Sequence, residues 1–244
     1  MRVIAADLHI HTALSPCADD AMTPPAIVAK AVSEGLEMIA ICDHNSAGNV
    51  AAVQEAAPSS LGVIAGIEIT TAEEAHVIGF FRDASSACAA ADEVQATLPA
   101  SGKSTKRFGN QLLLDAEGRV CGTQDSMLSS ACGLDLRSAV SAIKMHEGLA
   151  VAAHVDRPSF SVTSQLGMVP EDAGFDAIEI SAAGARASRA DDFVALGLPI
   201  ITSSDSHFVD NIGDSRTRFE IHTLTFDELL LAFRGAAGRR VHRA

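Results

Sequence analysis

The stretch Asp7-Leu8-His9-Ile10-His11 places an acid and two imidazoles at alternate positions. In an extended chain successive side chains point to opposite faces, so Asp7, His9 and His11 are expected on one face and Leu8 and Ile10 on the other. A polar stripe of Lys or Thr would simply meet solvent, whereas imidazole and carboxylate are the commonest nitrogen and oxygen donors to a metal ion. The same residue types recur at the ends of later apolar runs. Asp43-His44 follows MIAIC, Glu68 ends GVIAGIE, His154 ends LAVAA, and Asp205 with His207 follows PIITSS, while His76 stands at the start of HVIGFF. Six of the nine histidines occupy such places, a recurrence that isolated core or surface residues do not produce. His146 within a helix, His222 on a late strand and His242 in GRRVHR are assigned no role. Glu179 in AIEIS also ends a strand and reads as a ligand, as a group that orients one, or as neither. Asp7 and Asp43 are expected to orient neighbouring imidazoles rather than to bind metal themselves.

The elements that would position these groups alternate between strand and helix. After RVIAADLHI, Thr23 is an N-cap and Pro24 suits the first turn of PPAIVAKAVSE, which Gly35 closes. Apolar runs at MIAIC, LGVIAGIEI, AHVIGFF, LAVAAH, FDAIEIS and LPIITSS are separated by helical stretches, and RFEIHTL and FDELLLAFRG finish the chain. About seven buried strands joined by right-handed helical crossovers imply an α/β barrel close to the (β/α)8 type. The carboxyl ends of its strands would converge on one face. Residues 99–133 break the rhythm. They are polar and Gly/Ser-rich, and QLLLDAEGRVCG reads as a hairpin around Glu117-Gly118. The segment is expected to be an insertion over one barrel end of a single domain spanning 1–244, because it holds too few apolar residues for its own core.

The totals exclude several classes. Against 18 basic residues stand 31 acidic ones, a net charge of −13 in 244 residues, which argues against a protein that embraces long nucleic acid. It does not argue against a small anionic substrate, because bound cations reverse a local field. With no Trp or Tyr and ten scattered Phe, no stacking platform for a single strand is expected. Five cysteines (Cys17, Cys42, Cys88, Cys121 and Cys132) form no CxxC pair and read as free thiols of a reducing compartment, with a minor site role left open for Cys17. The amino-terminal run turns polar too early for a secretory signal, and no run approaches a membrane span, so a cytoplasmic protein that does not engage membranes is expected.

The ordered series DLHIH, DH, GIE, H, AH and SDSH, spread over residues 7 to 207, resembles the PHP (polymerase and histidinol phosphatase) family. The resemblance implies a distorted (β/α)7 TIM-like barrel holding three divalent metal ions, manganese in preference to iron or zinc. The run HTALSPCADDAMTP is similar to the branch of small stand-alone phosphoesterases, in which a loop Asp after the second His binds one metal. Carried over, the resemblance implies a first metal on His9, His11, Glu68 and Asp205. Glu68 would bridge to a second held also by His76 and His154. The third would be held by His44, His207 and a loop carboxylate, either Asp19 or Asp20, with Asp19 preferred. Glu68, Asp205 and His207 are the groups assigned to catalysis. The implied reaction is hydrolysis of a small phosphate ester by a hydroxide bridging two metals. The substrate would be a phosphomonoester, a sugar or nucleoside phosphate or bisphosphate, or a cyclic phosphodiester. Arg157, close after His154, could clamp a phosphate with its planar fork, as could Arg107 and Arg186; Lys103, Lys106 and Arg189 are further cations near at hand. The alternatives are a 5′–3′ exonuclease acting on oligonucleotide ends and a non-catalytic metal-binding module. Oligomeric state and pathway are not legible in the sequence.

Overall fold

The computed structural model describes residues 1–100 and 109–242; Lys103, Lys106 and Arg107 lie outside the described residues. The strands are β1 (Arg2–Ile10), β2 (Met38–Ile41), β3 (Gly62–Thr70), β4 (His76–Phe81), β5 (Leu112–Leu114), β6 (Val120–Thr123), β7 (Leu149–Ala152), β8 (Ala177–Ile180), β9 (Ile200–Thr202), β10 (Thr217–Ile221) and β11 (Arg240–His242). Between them run helices α1 (Pro24–Ser33), α2 (Val50–Ala56), α3 (Ala84–Gln95), α4 (Leu136–Met145), α5 (Val162–Leu166), α6 (Ala182–Arg186) and α7 (Phe226–Phe233). Thr23 takes the N-cap position of α1 with no side-chain cap bond, and Gly35 follows the helix with φ +70°.

The main sheet has the order β11-β10-β1-β2-β3-β4-β7-β8-β9, and it curls nearly shut. The residues beyond β9 reach the end of β1 through a parallel bridge between Ile10 and Ser206, where His11 N–H donates to the Ser206 carbonyl at 3.0 Å and Ser206 N–H to the His9 carbonyl at 3.2 Å. The result is a distorted TIM-like α/β barrel. Its interior is filled by Ile4, Ala6 and Leu8 of β1 with Phe80, Val151 and Ile201, and α7 packs Leu229 and Phe233 into the same cluster. The outward-facing residues of the strands, among them Ile39, Ile67, Val77 and Ile178, pack instead with α1 to α4. This alternation between two apolar environments is why the strands read as nearly continuous hydrophobic runs.

Two expectations are corrected. First, the crossovers are not all helical: β3 and β4 form an antiparallel hairpin through the turn at 71–75, and β4 is antiparallel to β7 as well. Second, β1 does not alternate to its end. The β1–β2 register shifts between Asp7 and Ile10, so Leu8 joins the interior cluster while Ile10 joins the outer one. An irregularity of this kind re-aims side chains at a strand end, and it removes Asp7 from the face of His9 and His11.

Within the 99–133 segment, β5 and β6 form the two-stranded hairpin. The hairpin packs on the loop that follows β1: Leu112 N–H donates to the Ala13 carbonyl at 2.8 Å, and the Asn49 side chain bonds the backbone of Leu112 and Leu114 at 2.9 Å.

Candidate metal centre

The hairpin that breaks the parallel pattern also explains the one histidine found at a strand start. Because β4 runs opposite to its neighbours, its first residue, His76, lies at the same rim as the last residues of the others. Glu68 is the hub. Its two carboxylate oxygens lie 2.8 Å from His76 Nδ1, 3.0 Å from His44 Nδ1, 3.2 Å from His154 Nε2, 3.3 Å from His11 Nε2 and 3.4 Å from His9 Nε2. Asp205 Oδ1 approaches His11 Nε2 at 3.0 Å and His9 Nε2 at 3.4 Å. The His207 ring stacks on that of His11 with centroids 4.1 Å apart. Asp205 and His154 both hold positive φ, +52° and +29°, a conformation that costs free energy and persists where surrounding contacts enforce it.

Neighbouring groups fix which nitrogen of each ring faces inward. Glu179, buried on β8, accepts from His9 Nδ1 at 3.0 Å and from the His154 backbone N–H at 3.1 Å, leaving His9 Nε2 to the centre. Asp43 acts at one remove. Its carboxylate accepts Thr12 N–H, Thr12 Oγ1–H and Ser15 Oγ–H, each at 2.7 Å. Having donated its only proton to Asp43, the Ser15 oxygen accepts from His11 Nδ1 at 2.9 Å and from His44 N–H at 3.1 Å. His207 Nδ1 donates to the Asp205 carbonyl at 3.0 Å. Carboxylate or carbonyl behind imidazole is the arrangement that holds metal-ligating histidines in one tautomer. Nothing in the spacing of Ser15 pointed to this role. Asp7 does not share it: its carboxylate accepts Ser204 N–H and Gly213 N–H, each at 2.9 Å, and ties β1 to the segments after β9. Burial raises the Asp7 pKa to about 6, against the pull of those hydrogen bonds.

The electrostatics are those of acids crowded by rings in a dry pocket. Burial opposes charge on every group. The nearby carboxylates outweigh it at His9, whose pKa lies well above the ordinary value, and at His11 and His44, raised to about 9. Burial prevails at His76, lowered to about 4, and at His207, lowered to about 3. Despite their own burial, Glu68 and Asp205 are held well below the usual carboxylate range by the rings around them.

These residues fit divalent cations. His9 Nε2, His44 Nδ1, His76 Nδ1 and Glu68 Oε2 are buried and make no hydrogen bond, although each faces groups of the cluster at short range. Unsatisfied buried polar atoms cost about 1–3 kcal/mol each; nitrogen lone pairs and carboxylate oxygens converging on shared space are what a cation satisfies. Among the described residues three groups bring ligand atoms within 4.8 Å of one another: His9, His11, Glu68 and Asp205; His44, Glu68 and His76; and His11, His44 and His207. The first coincides with the expected set for one metal; in the second, His44 stands beside Glu68 and His76 where His154 was expected, although His154 Nε2 lies 3.2 Å from Glu68. In the third, His11 stands beside His44 and His207 where a loop carboxylate was expected. Asp19 and Asp20 are exposed; the Asp19 carboxylate accepts Ala21 N–H at 2.8 Å, and Asp20 accepts from Asn110 at 2.5 Å. Asp19 is nevertheless anchored at the rim, its backbone N–H donating to the His207 carbonyl at 2.9 Å.

Of the expected phosphate clamps, Arg157 reaches the cluster, pairing with Asp205 at 2.6 Å. It also lines a cleft of about 490 Å³ with Arg186 and Arg189. His146, His222 and His242 lie elsewhere, against Glu93, the amino terminus and Glu220 respectively.

A PHP-domain family model matches residues 7–120, and a PHP-associated model matches residues 189–237. Among solved structures the chain is similar to the lesion-specific endonuclease PfuEndoQ from Pyrococcus furiosus, with TM-score 0.74 and 21% identity over 98% of this chain and 58% of that one. It is similar also to endonuclease Q in complex with a 27-mer duplex carrying an abasic lesion at the active site (TM-score 0.72, 19% identity, again 98% and 58%). A third likeness is to a protein from Bifidobacterium adolescentis assigned as a metal-dependent phosphoesterase (TM-score 0.55, 19% identity, 83% of this chain and 87% of that one). The chain spans less than two thirds of the endonuclease's length, and at these identities the likeness is one of fold. No curated protein matches the chain. Among the described residues no helix is long and apolar enough to cross a membrane.

Proposed function

The chain belongs to the PHP family, and from that premise we propose that it is a metal-dependent phosphoesterase hydrolysing small phosphate esters at the rim of the barrel. The observation that carries this reading is the single carboxylate of Glu68 within 3.4 Å of five imidazoles. The proposed ligands are His9, His11, Glu68 and Asp205 for one cation and Glu68, His76 and His154 for a second. His44 and His207 hold a third with His11, and Asp19, whose backbone is anchored to His207 at the rim, is proposed as its carboxylate. Three divalent ions, manganese first among the candidates, match this donor set of imidazole and carboxylate.

A divalent cation at such a site supplies Lewis acidity to a phosphoryl oxygen and makes water acidic enough to react near neutral pH. The chain's own residues do the positioning. Glu179 and the Ser15–Asp43 pair engage Nδ1 of His9 and His11, so that Nε2 is the nitrogen each ring presents inward. Arg157 sits where it can exchange its bond to Asp205 for two parallel bonds to a phosphate. Arg186, which has no ion-pair partner among the described residues, lies along the adjoining cleft, and Arg107 is proposed as a third clamp.

A second reading is an enzyme acting on nucleic-acid ends or lesions, favoured by the likeness to endonuclease Q over 98% of this chain and opposed by the net charge of −13. One panel separates them: purified protein with manganese, offered phosphomonoesters, cyclic phosphodiesters, short oligonucleotides and a duplex with an abasic site. Phosphate release from small esters alone is the expected result. Cleavage of the oligonucleotides or the duplex would replace the first reading by the second, and silence throughout would leave a metal-binding module.

A further inference from the structure

Phe160 has three properties that the proposed hydrolysis does not use. Its φ is +56°, a conformation that bulky side chains rarely adopt and that marks turn, strain or function. It is 46% exposed although wholly apolar. One face of its ring lies on His76, with centroids 5.1 Å apart and planes at 25°. The backbone is held there firmly. The Phe160 carbonyl accepts His76 N–H at 2.9 Å, and Arg157 N–H donates to the His154 carbonyl at the same distance. Ser161 Oγ donates to the Arg157 carbonyl at 2.7 Å, and Thr163 Oγ1 donates to the Val155 carbonyl. One braced loop therefore carries the ligand His154, the phosphate clamp Arg157 and an open aromatic ring in fixed relation to one another.

A ring serving only to cover His76 would gain nothing from standing nearly half exposed, and the strained backbone would be retained for no benefit that a smaller residue could not supply. Resting on the phosphoesterase reading, we propose that Phe160 is a specificity-determining residue on which the base of a nucleotide stacks while Arg157 holds its phosphate, so that nucleotides are selected among small phosphate esters. The scarcity of aromatic residues argues against a platform for a whole strand, but one ring suffices for one base.

The test is calorimetric binding to metal-loaded protein. The probes are the non-hydrolysable phosphonate analogues of adenosine 5′-monophosphate and of ribose 5-phosphate, which differ only in the base. The wild type is expected to bind the adenosine analogue about ten-fold more tightly. Phe160→Leu, which keeps an apolar cover on His76, should abolish that difference while leaving the ribose analogue unchanged, and Phe160→Tyr should preserve it. Equal binding of the two probes by the wild type, or an equal loss for both in Phe160→Leu, overturns the inference and leaves the phosphoesterase reading intact. Binding of neither probe overturns the inference, and the phosphoesterase reading falls with it only if the ester panel also releases no phosphate.

Discussion

Glu68 and His76 are diagonal neighbours on one face of the β3–β4 hairpin: Thr70 pairs with His76 and Glu68 with Ile78, and Glu68 Oε1 lies 2.8 Å from His76 Nδ1. Cross-strand neighbours of this kind are set by backbone register and need no loop to place them. The hub carboxylate and one of its rings thus come from a single local unit, and the other imidazoles are brought to it. Glu68→Gln keeps the shape but removes the charge that several rings face. Metal loading and turnover are expected to fall together, by at least 100-fold in affinity, when metal content per chain and phosphate release are measured on the same samples. Full activity in this variant would contradict the bridging role.

Ser15 lies buried behind the cluster, where its oxygen holds His11 Nδ1. In Ser15→Ala the ring loses its partner and its fixed tautomer, and metal affinity should weaken about 10- to 100-fold. Competition with a chelator reads this directly. Asp43→Asn should act in the same direction, because the Ser15 hydroxyl then has no carboxylate to hold its proton away from His11.

Arg157→Lys preserves the charge and removes the planar fork. If the side chain clamps a phosphate through two bonds, kcat/KM for phosphate esters falls about 10-fold or more, with metal content unchanged. A variant with wild-type kinetics would reduce Arg157 to a partner of Asp205.

Stability in acid should depend on a pair far from the rim. Glu228 of α7 is 9% exposed at its side chain and receives both Arg239 Nε and Nη2, at 3.0 and 2.7 Å, together with His222 N–H at 2.8 Å. The Arg239 hydrogen bonds, foremost among the causes, lower its pKa from 4.5 to about 2. A carboxylate with a depressed folded pKa stabilises the protein above its unfolded value, and that contribution drains away as pH falls from 4.5 toward 2. Glu228→Gln should therefore lower Tm by a few degrees at neutral pH, about 1–2 kcal/mol, and the gap to wild type should close as the pH approaches 2. Melting of metal-free protein across pH 2–7 measures it.

Most of the centre was legible in the sequence because its donors sit at the ends of apolar runs, and a parallel barrel brings such ends together. His76 joins the cluster in spite of its place at a strand start, which is anomalous for a parallel sheet and ordinary in the antiparallel hairpin, a connection that no composition signal distinguishes from a crossover. Asp7 departs from the role that strict alternation predicts because β1 shifts register where the residues DLHIH do not announce it. Ser15 acts through a hydrogen bond to a ring four positions earlier that its residue type does not announce, whereas Glu179, marked by its strand-end place, accepts from His9 across 170 positions. Asp19, expected in the third group, gives one carboxylate oxygen to a local backbone turn, the common habit of Asp in loops.

The ring of strands is completed at its rim by the Ile10–Ser206 bridge. His9 and His11 stand on one side of that join and Asp205 and His207 on the other. A cation gripped by His9, His11 and Asp205 would rivet the two edges, so the barrel could not spring apart there without first letting go of its ion. Amide hydrogens of His11 and Ser206 would then exchange with solvent only as fast as the ion departs, so that the opening of this seam and the residence time of a bound cation would run on one clock.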